Sequence, residues 1–579
     1  MLKRFALMVG VLLLVVAYAA PVAAQDRTTV TLFHFTDYHS YAVPFYSEGR
    51  HDQGGVARAV GYLRQFADDP NTLIFNGGDM MNLDVPSWGV KYTCIEWPWF
   101  NGIVDAMAFG NHDADYGAEH FANCQSQIDY PILGANVLDA AGNPLFLHDG
   151  KNYLVFEVGD VKLGVFAIAG PDYDRLVPPA RRPVEGATFG DYIETAREVV
   201  RALREDEGVH AVIGIGHAHY EDDKRMAQEV PGIDLIFGTH SHLKHELALL
   251  PGTNTYSISP FQYLTYISRV ALTFEAGMLV DVSGTLVPVD ANLPADPALV
   301  ERVAQLQAEL EADPEFAPMF VQIGTAAEEL SERGKLTDET ILGNLVMDIA
   351  RSAAGSHMAL ATSSGLRASI PPGPILEETL RTTLPFPNKL LVFPMSGTLV
   401  QELLDYSVSR RGFDFFSQVS GVRFNIVEGR AANIQLLADP GNPAAGYLPL
   451  DPSGIYQVAT TDFQGLVAPG YSDIFARAGE HTNTGIDLRD QVRAYIQANS
   501  PVSGQLDGRI SELQPADIPA EVPAEVPADI PAEMPAEMPA DIPAGLPQTA
   551  ATPALPLLAL LLLALVSSMM GIGLRRSME

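Results

Sequence analysis

Ile233-Asp234-Leu235-Ile236-Phe237-Gly238-Thr239-His240-Ser241-His242 is the stretch on which the reading of this chain turns. Four of its first five residues are apolar. The run is too short for a helix and is closed by glycine, so it reads as a buried strand with two histidines at its C-terminal end. The same grammar recurs upstream. Val30–Thr36 runs into Asp37-Tyr38-His39, and Thr72–Phe75 runs into Gly77-Gly78-Asp79. Gly110-Asn111-His112-Asp113 follows, and Ala211–Ile215 leads to His217. Strands that carry Asp, Asn and His from their C-terminal ends into one crevice are how an α/β scaffold assembles a two-metal centre.

Outward from these motifs, residues 26–290 alternate strand and helix. The strand Val161–Ile168, the helices Gly54–Ala67 and Asp191–Leu203, and the strands above predict an α/β core. The break Asn292-Leu293-Pro294-Ala295-Asp296-Pro297 and the amphipathic run Ala298–Ala312 predict a linker with an interdomain helix over 291–319. Residues 320–510 read as a second α/β unit. Its helix Thr337–Arg351 places Leu342, Leu345, Val346 and Ile349 at helical spacing, with Thr337 as the expected cap.

At 579 residues the chain exceeds what one core organises. Asp and Glu outnumber Lys and Arg 71 to 36, and the net charge of −35 argues against nucleic acid as a partner. Residues 1–24 have the pattern of a signal peptide: Lys3 and Arg4, an apolar stretch, then Val22-Ala23-Ala24 as a cleavage site. Cys94 and Cys124 are the only cysteines, and in an oxidising compartment they can pair or stay free.

The other end reads as a tether. Residues 511–553 contain eight Pro-Ala-led tetrads from Pro515 to Leu546, the last being Pro-Ala-Gly-Leu. Regular proline forbids a helix and predicts an extended stalk. Residues 554–574 are uncharged and precede Arg575-Arg576, as in a transmembrane helix with its cytoplasmic flank. Leu546-Pro547-Gln548-Thr549-Ala550 resembles a cell-wall sorting signal with Ala550 in place of glycine, which leaves both a sortase partner and a retained membrane anchor open.

The ordered set Asp37-x-His39, Gly77-Gly78-Asp79, Asn111-His112-Asp113-Ala114-Asp115, His217 and His240-Ser241-His242 resembles the 5′-nucleotidase family of calcineurin-like metallophosphoesterases, of the secreted UDP-sugar hydrolase/5′-nucleotidase type. The resemblance spans roughly residues 28–475. It implies a four-layer α/β/β/α metallophosphoesterase domain and a smaller α/β 5′-nucleotidase C-terminal domain. It also implies two divalent metals, zinc or manganese first among several that suit these donors. Asp37, His39 and His242 would hold one metal, Asn111, His217 and His240 the other, with Asp79 bridging. The metals would polarise the phosphoryl oxygens and lower the pKa of a water that attacks in line. His112, oriented by Asp115, would be the catalytic histidine. His34 reads as a satisfied core residue, and His219 falls outside the family pattern.

In the second domain the resemblance rests on Leu384-Pro385-Phe386-Pro387-Asn388, Gly365-Leu366-Arg367 and Ser407-Val408-Ser409-Arg410. It implies that Asn388, Arg367 and Arg410 contact the substrate and that Phe416 and Phe463 stack a nucleobase. Two departures stand out: Thr362-Ser363-Ser364 replaces a glycine-rich stretch, and Pro469 replaces an acid expected on ribose hydroxyls. The reading is therefore a surface-anchored hydrolase of nucleoside 5′-monophosphates. Cyclic nucleotides, nucleotide sugars, a sulfur-linked substrate and a catalytically silent surface binding protein remain as alternatives, and oligomeric state is open.

Overall fold

The computed structural model describes residues 27–83, 86–413 and 415–513. The expected leader, the stalk from residue 514 onward, the sorting motif and the apolar tail lie outside the described residues; Ser511 and Glu512, expected to begin the stalk, instead belong to a strand of the second domain, where they pair with Asn425 and Ile426. Among the described residues no helix is long and apolar enough to cross a membrane.

The first domain is a sandwich of two six-stranded sheets. Its strands are β1 (Arg27–Phe35), β2 (Thr72–Asn76), β3 (Ala106–Ala108), β4 (Ile132–Leu133), β5 (Leu154–Val158), β6 (Val161–Phe166), β7 (Ala211–Gly214), β8 (Leu235–Phe237), β9 (Lys244–Leu249), β10 (Tyr256–Pro260), β11 (Tyr266–Glu275) and β12 (Met278–Pro288). One sheet runs β12-β11-β1-β2-β3-β4 and the other β9-β10-β8-β7-β6-β5. Within them β1 through β4 are parallel neighbours, as are β6, β7, β8 and β10. Parallel order requires crossovers over the outer faces, and it sends the C-terminal ends of these parallel strands to one side.

Side-chain alternation explains the layering. Along β1, Val30 and Leu32 face inward to meet Phe75, Leu163, Val165 and Ile213 between the sheets. Phe33 and Phe35 face outward and pack on α1 (Val56–Leu63), Trp97 and Phe100. The second sheet's outer face, with Phe166, Val212 and Ile236, is covered by α3 (Tyr192–Arg201) and α4 (Tyr220–Glu229), numbering α2 as Ala118–Gln125. Asp191 caps α3 by accepting the Glu194 N–H at 2.9 Å. His34 faces Phe237 at 4.5 Å between the two sheets. It is buried as expected but not satisfied: neither ring nitrogen has a hydrogen-bond partner among the described residues. Burial pushes its pKa down to about 3 and keeps it neutral.

Helix α5 (Pro297–Ala312) starts at Asp296, whose carboxylate accepts from the amides of Ala298 and Leu299, with Pro297 in the first turn. Its Val303, Leu306 and Leu310 complete the core around α1. The connecting helix is thereby part of the first domain's packing.

The second domain has a five-stranded sheet in the order β15-β13-β19-β14-β20, from β13 (Met358–Thr362), β14 (Lys389–Ser396), β15 (Ser417–Ser420), β19 (Ile455–Thr461) and β20 (Thr482–Asp487). A four-stranded sheet runs β18-β17-β16-β21, from β16 (Val422–Val427), β17 (Arg430–Leu437), β18 (Tyr447–Pro449) and β21 (Ile510–Glu512). Alternation in β14 again sets the layers. Leu390 and Val392 pack beneath α6 (Ile341–Ala354) and α8 (Leu488–Asn499), while Leu391, Phe393 and Met395 pack beneath α7 (Gly397–Ser409).

The start of α6 corrects one expectation. Its cap is Thr340, which accepts the Gly343 N–H at 2.9 Å, not Thr337. Buried Gln418 takes the Thr340 N–H at 2.9 Å, which fixes the backbone there outside the helix. Thr337 instead bonds Asp338 in a turn closed on Gly334.

Candidate active site

The loops leaving β1, β2, β3, β7 and β8 converge. Asp37 Oδ1 lies 3.9 Å from His39 Nε2 and 3.2 Å from His242 Nε2, and the two histidine nitrogens are 3.1 Å apart. Next to this triad, Asp79 Oδ2 lies 3.1 Å from His217 Nε2 and 3.7 Å from His39 Nε2. Asp79 thus stands between two donor groups, Asp37–His39–His242 and Asp79–His217–His240, each close enough to grip one ion. Asn111 Oδ1, Asp37 Oδ1, His217 Nε2 and His240 Nε2 are buried with no hydrogen-bond partner. Orphaned atoms of this kind cost free energy unless something binds them. A mixed set of imidazole, carboxylate and amide donors fits divalent transition metals.

The surroundings fix the orientation of these donors. His39 Nδ1 bonds the Met81 carbonyl at 2.9 Å and His217 Nδ1 bonds the Gly77 carbonyl at 2.7 Å, so each ring presents Nε2 to the crevice. Asp37, His39, Asp79, His240 and His242 all have positive φ, between 48° and 56°. For non-glycine residues that conformation carries strain, which concentrates at functional sites. Glycine opens the space between loops: a Cβ on Gly110 would sit 2.2 Å from the Asp79 amide.

Charge follows the geometry. Burial opposes protonation of His217, but Asp79 and Asp37 outweigh it and raise its pKa to about 10. At His39 burial dominates and pushes the value down to about 3. His112 Nδ1 lies 2.6 Å from Asp115 Oδ2. Burial again disfavours the charged ring, yet Asp115 and Asp79 raise it to about 9. Arg181 approaches the other Asp115 oxygen at 3.6 Å.

A cavity of about 320 Å³ opens onto this crevice. Asp79, Asn111, His112, Asp115, His240 and His242 line one wall, and Arg367, Asn388, Phe415, Gln418, Phe463 and Arg489 of the second domain line the other. Arg367 Nη1 lies 3.2 Å from His242 Nδ1, and its guanidinium packs 5.6 Å from the Phe386 ring.

Two expected substrate contacts are misplaced. Phe416 is fully buried in the core beneath α7 and cannot meet a ligand; its neighbour Phe415 faces the cavity. The cause is local: Phe416 donates its N–H to Phe413, and the adjoining strand β15 is paired with β13. Arg410, at the C-terminal end of α7, is not among the cavity residues. Its guanidinium packs 5.3 Å from Phe413.

Several residues have supporting roles that the sequence did not assign to them. Asp113 accepts the amides of Gly110 (2.7 Å), Met80 (2.7 Å) and Asp79 (3.2 Å), and so ties two loops together. Asp172 lies 3.2 Å from His219 Nε2 and 3.5 Å from His240 Nε2, which places His219 beside the site. Glu96, buried against Trp88 (2.8 Å) and Tyr38 (3.4 Å), supports the loop between Asp37 and His39. Cys94 and Cys124 form a disulfide with their Cα atoms 5.6 Å apart, joining the Glu96 segment to α2. Only the last pairing could have been anticipated, from the even cysteine count.

Fold and site together define a two-domain metallophosphoesterase. Residues 30–244 match the calcineurin-like phosphoesterase family model and residues 322–476 the 5′-nucleotidase C-terminal domain model, together more than half of the chain. The chain is 25% identical over 536 residues to a 5′-nucleotidase of Vibrio cholerae, covering 82% of this chain and 92% of that protein. It is 26% identical over 453 residues to the trifunctional nucleotide phosphoesterase protein YfkN of Bacillus subtilis, covering 71% of this chain but 30% of that longer protein. Among solved structures, a 5′-nucleotidase precursor from Thermus thermophilus superposes with a TM-score of 0.68 at 26% identity, over 84% of this chain and 99% of that one. The chain belongs to the 5′-nucleotidase family of calcineurin-like metallophosphoesterases and is a hydrolase of that family.

Proposed function

We propose that this protein releases phosphate from nucleoside 5′-monophosphates at a two-metal centre and acts outside the cell. In this reading Asp37, His39 and His242 would hold one divalent ion and Asn111, His217 and His240 the other, with Asp79 within reach of both groups. The observation that carries it is Asp79, a member of one donor group and 3.7 Å from His39 of the other, lining a cavity walled by both domains. Ions bound there would supply Lewis acidity toward the phosphoryl oxygens and acidify a water.

The protein's own groups do the rest. With Nδ1 engaged by Asp115, His112 has its Nε2 left to meet the phosphoryl group. A pKa raised to about 9 keeps the ring protonated near neutrality, so it can stabilise developing charge and protonate the leaving 5′ oxygen. Cations bound at Asp79 would draw that value down, which favours proton release. Arg367 is placed to clamp a phosphate oxygen. Phe415 and Phe463 supply aromatic faces for a base, and Asn388 supplies a polar contact nearby. The leader-like N-terminus and the stalk with its apolar tail support display at the cell surface, held by membrane or cell wall.

The test is hydrolysis by the full chain of AMP, cyclic AMP, UDP-glucose and p-nitrophenyl phosphate, each followed by chromatography of its own products, with manganese or zinc and with chelator. AMP turnover that disappears with chelator and returns with metal is expected. Preference for another ester would keep the metal centre and remove the monophosphate assignment.

A further inference from the structure

The second domain has another cavity, of about 650 Å³, on the opposite side of α6 from the metal crevice. Val346 and Met347 of that helix face the crevice, whereas Asp348 and Arg351 line this second cavity. Arg423 and Arg509 also line it, so three guanidiniums share the space.

Its two carboxylates are already committed. Asp348 accepts from Arg509 Nη2 at 2.7 Å and from Ser420 Oγ at 2.6 Å. Asp507 accepts from Arg509 Nε at 2.7 Å. Arg351 and Arg423 have no ion pair among the described residues. Arg351 is only 8% exposed. Its Nε bonds Ser420 Oγ at 3.0 Å and its Nη1 reaches the Pro440 carbonyl at 3.4 Å, leaving Nη2 with no acceptor among the described residues. The Arg423 side chain makes no hydrogen bond among the described residues, and its Nε is buried and unpartnered. Its guanidinium lies 4.3 Å from the Tyr447 ring centre, a packing that holds the group while leaving its N–H donors unused.

A buried, unpaired cation such as Arg351 is costly, and a second unpaired guanidinium lining the same cavity adds to that cost unless an anion joins them. A guanidinium matches the oxygens of phosphate in two-point contact. We propose that this cavity is a second anion site, in which Arg351 and Arg423 bind a phosphate group, free or as the head of a small phosphate ester. The proposal does not depend on the reaction assigned to the metal crevice.

The experiment is calorimetric titration of the chelator-treated full chain at low salt with inorganic phosphate, with glycerol phosphate and with malonate. One site per chain is expected for phosphate, weakened at least tenfold by Arg423→Gln and unchanged by Arg367→Gln in the metal crevice. Tighter binding of glycerol phosphate than of phosphate identifies an ester as the ligand; the reverse identifies the free anion. Because Arg351 is buried, the partly exposed Arg423 carries the test, and unchanged melting of Arg423→Gln shows that the fold is kept. No phosphate binding at millimolar concentration, equal binding of malonate, or loss in Arg367→Gln but not in Arg423→Gln would overturn the proposal.

Discussion

The two walls of the cavity were not equally readable. Every expected donor of the first domain arrives at one crevice, while in the second domain Phe416 and Arg410 do not reach the cavity that Arg367, Asn388 and Phe463 line. The difference lies in how each wall is built. First-domain donors sit directly after short parallel strands, whose C-terminal ends must converge, so a motif at a strand end has one place to go. The second domain presents aromatic side chains from the segment entering β15, where adjacent residues point to opposite sides. A shift of one residue exchanges Phe415 for Phe416.

The comparison is tested most severely at His112. His112→Ala is expected to lower kcat by about 10²–10⁴-fold while the metal content stays at wild-type level. Equal losses of metal and rate would make His112 a ligand instead. The two phenylalanines come next. Phe416→Ala removes a fully buried ring and is expected to cost about 3–5 kcal/mol of stability in denaturant melts, with KM unchanged. Phe415→Ala should do the reverse, raising KM for AMP severalfold at unaltered stability. If Phe416→Ala raised KM and Phe415→Ala were silent, the placement of the two rings would be wrong.

The disulfide separates support from chemistry within the first domain. Replacing Cys94 and Cys124 by Ser opens a loop with a sequence separation of 30 and should lower stability by roughly 3 kcal/mol. Metal stoichiometry in the folded double variant should be unchanged.

Glu96 gives the smallest and most specific effect. Burial raises its carboxyl pKa to about 8, against hydrogen bonds from its own backbone, Trp88, Ser40 and Tyr38 that favour the ionised form. Between the ordinary glutamate value and about 8, the folded protein holds a proton that the unfolded chain has released. This contribution to stability is therefore full at low pH and is lost as pH rises through that window. Glu96→Gln cannot ionise, so from pH 5 to 8 its stability relative to wild type should rise by about 2 kcal/mol or more. A difference independent of pH would show that Glu96 is ionised in the fold.

Much of the scaffold was legible because hydrophobic alternation is a local signal. The strands 30–36 and 211–215 and helices 191–203 and 298–312 appear within a few residues of their expected limits. Features set by distant partners were not legible. The cap of α6 depends on Gln418, far along the chain, and no local pattern distinguishes Thr340 from Thr337. The left-handed backbone at five of the expected donors reflects the loops jamming together at Gly78 and Gly110, which the motifs alone do not reveal. Asp113 and Asp172 act through backbone amides and neighbouring imidazoles, so their roles exist only in three dimensions.

In the proposed division of labour one domain supplies the chemistry and the other selects a nucleotide. The measurement that tests it most directly is kcat/KM of the Phe415→Ala/Phe463→Ala double variant for AMP and for p-nitrophenyl phosphate under the same metal conditions. A loss of at least tenfold is expected for AMP, with p-nitrophenyl phosphate within about twofold of wild type, since stacking stabilises a base by roughly 1–3 kcal/mol. Equal losses on both substrates, or none on either, would contradict it.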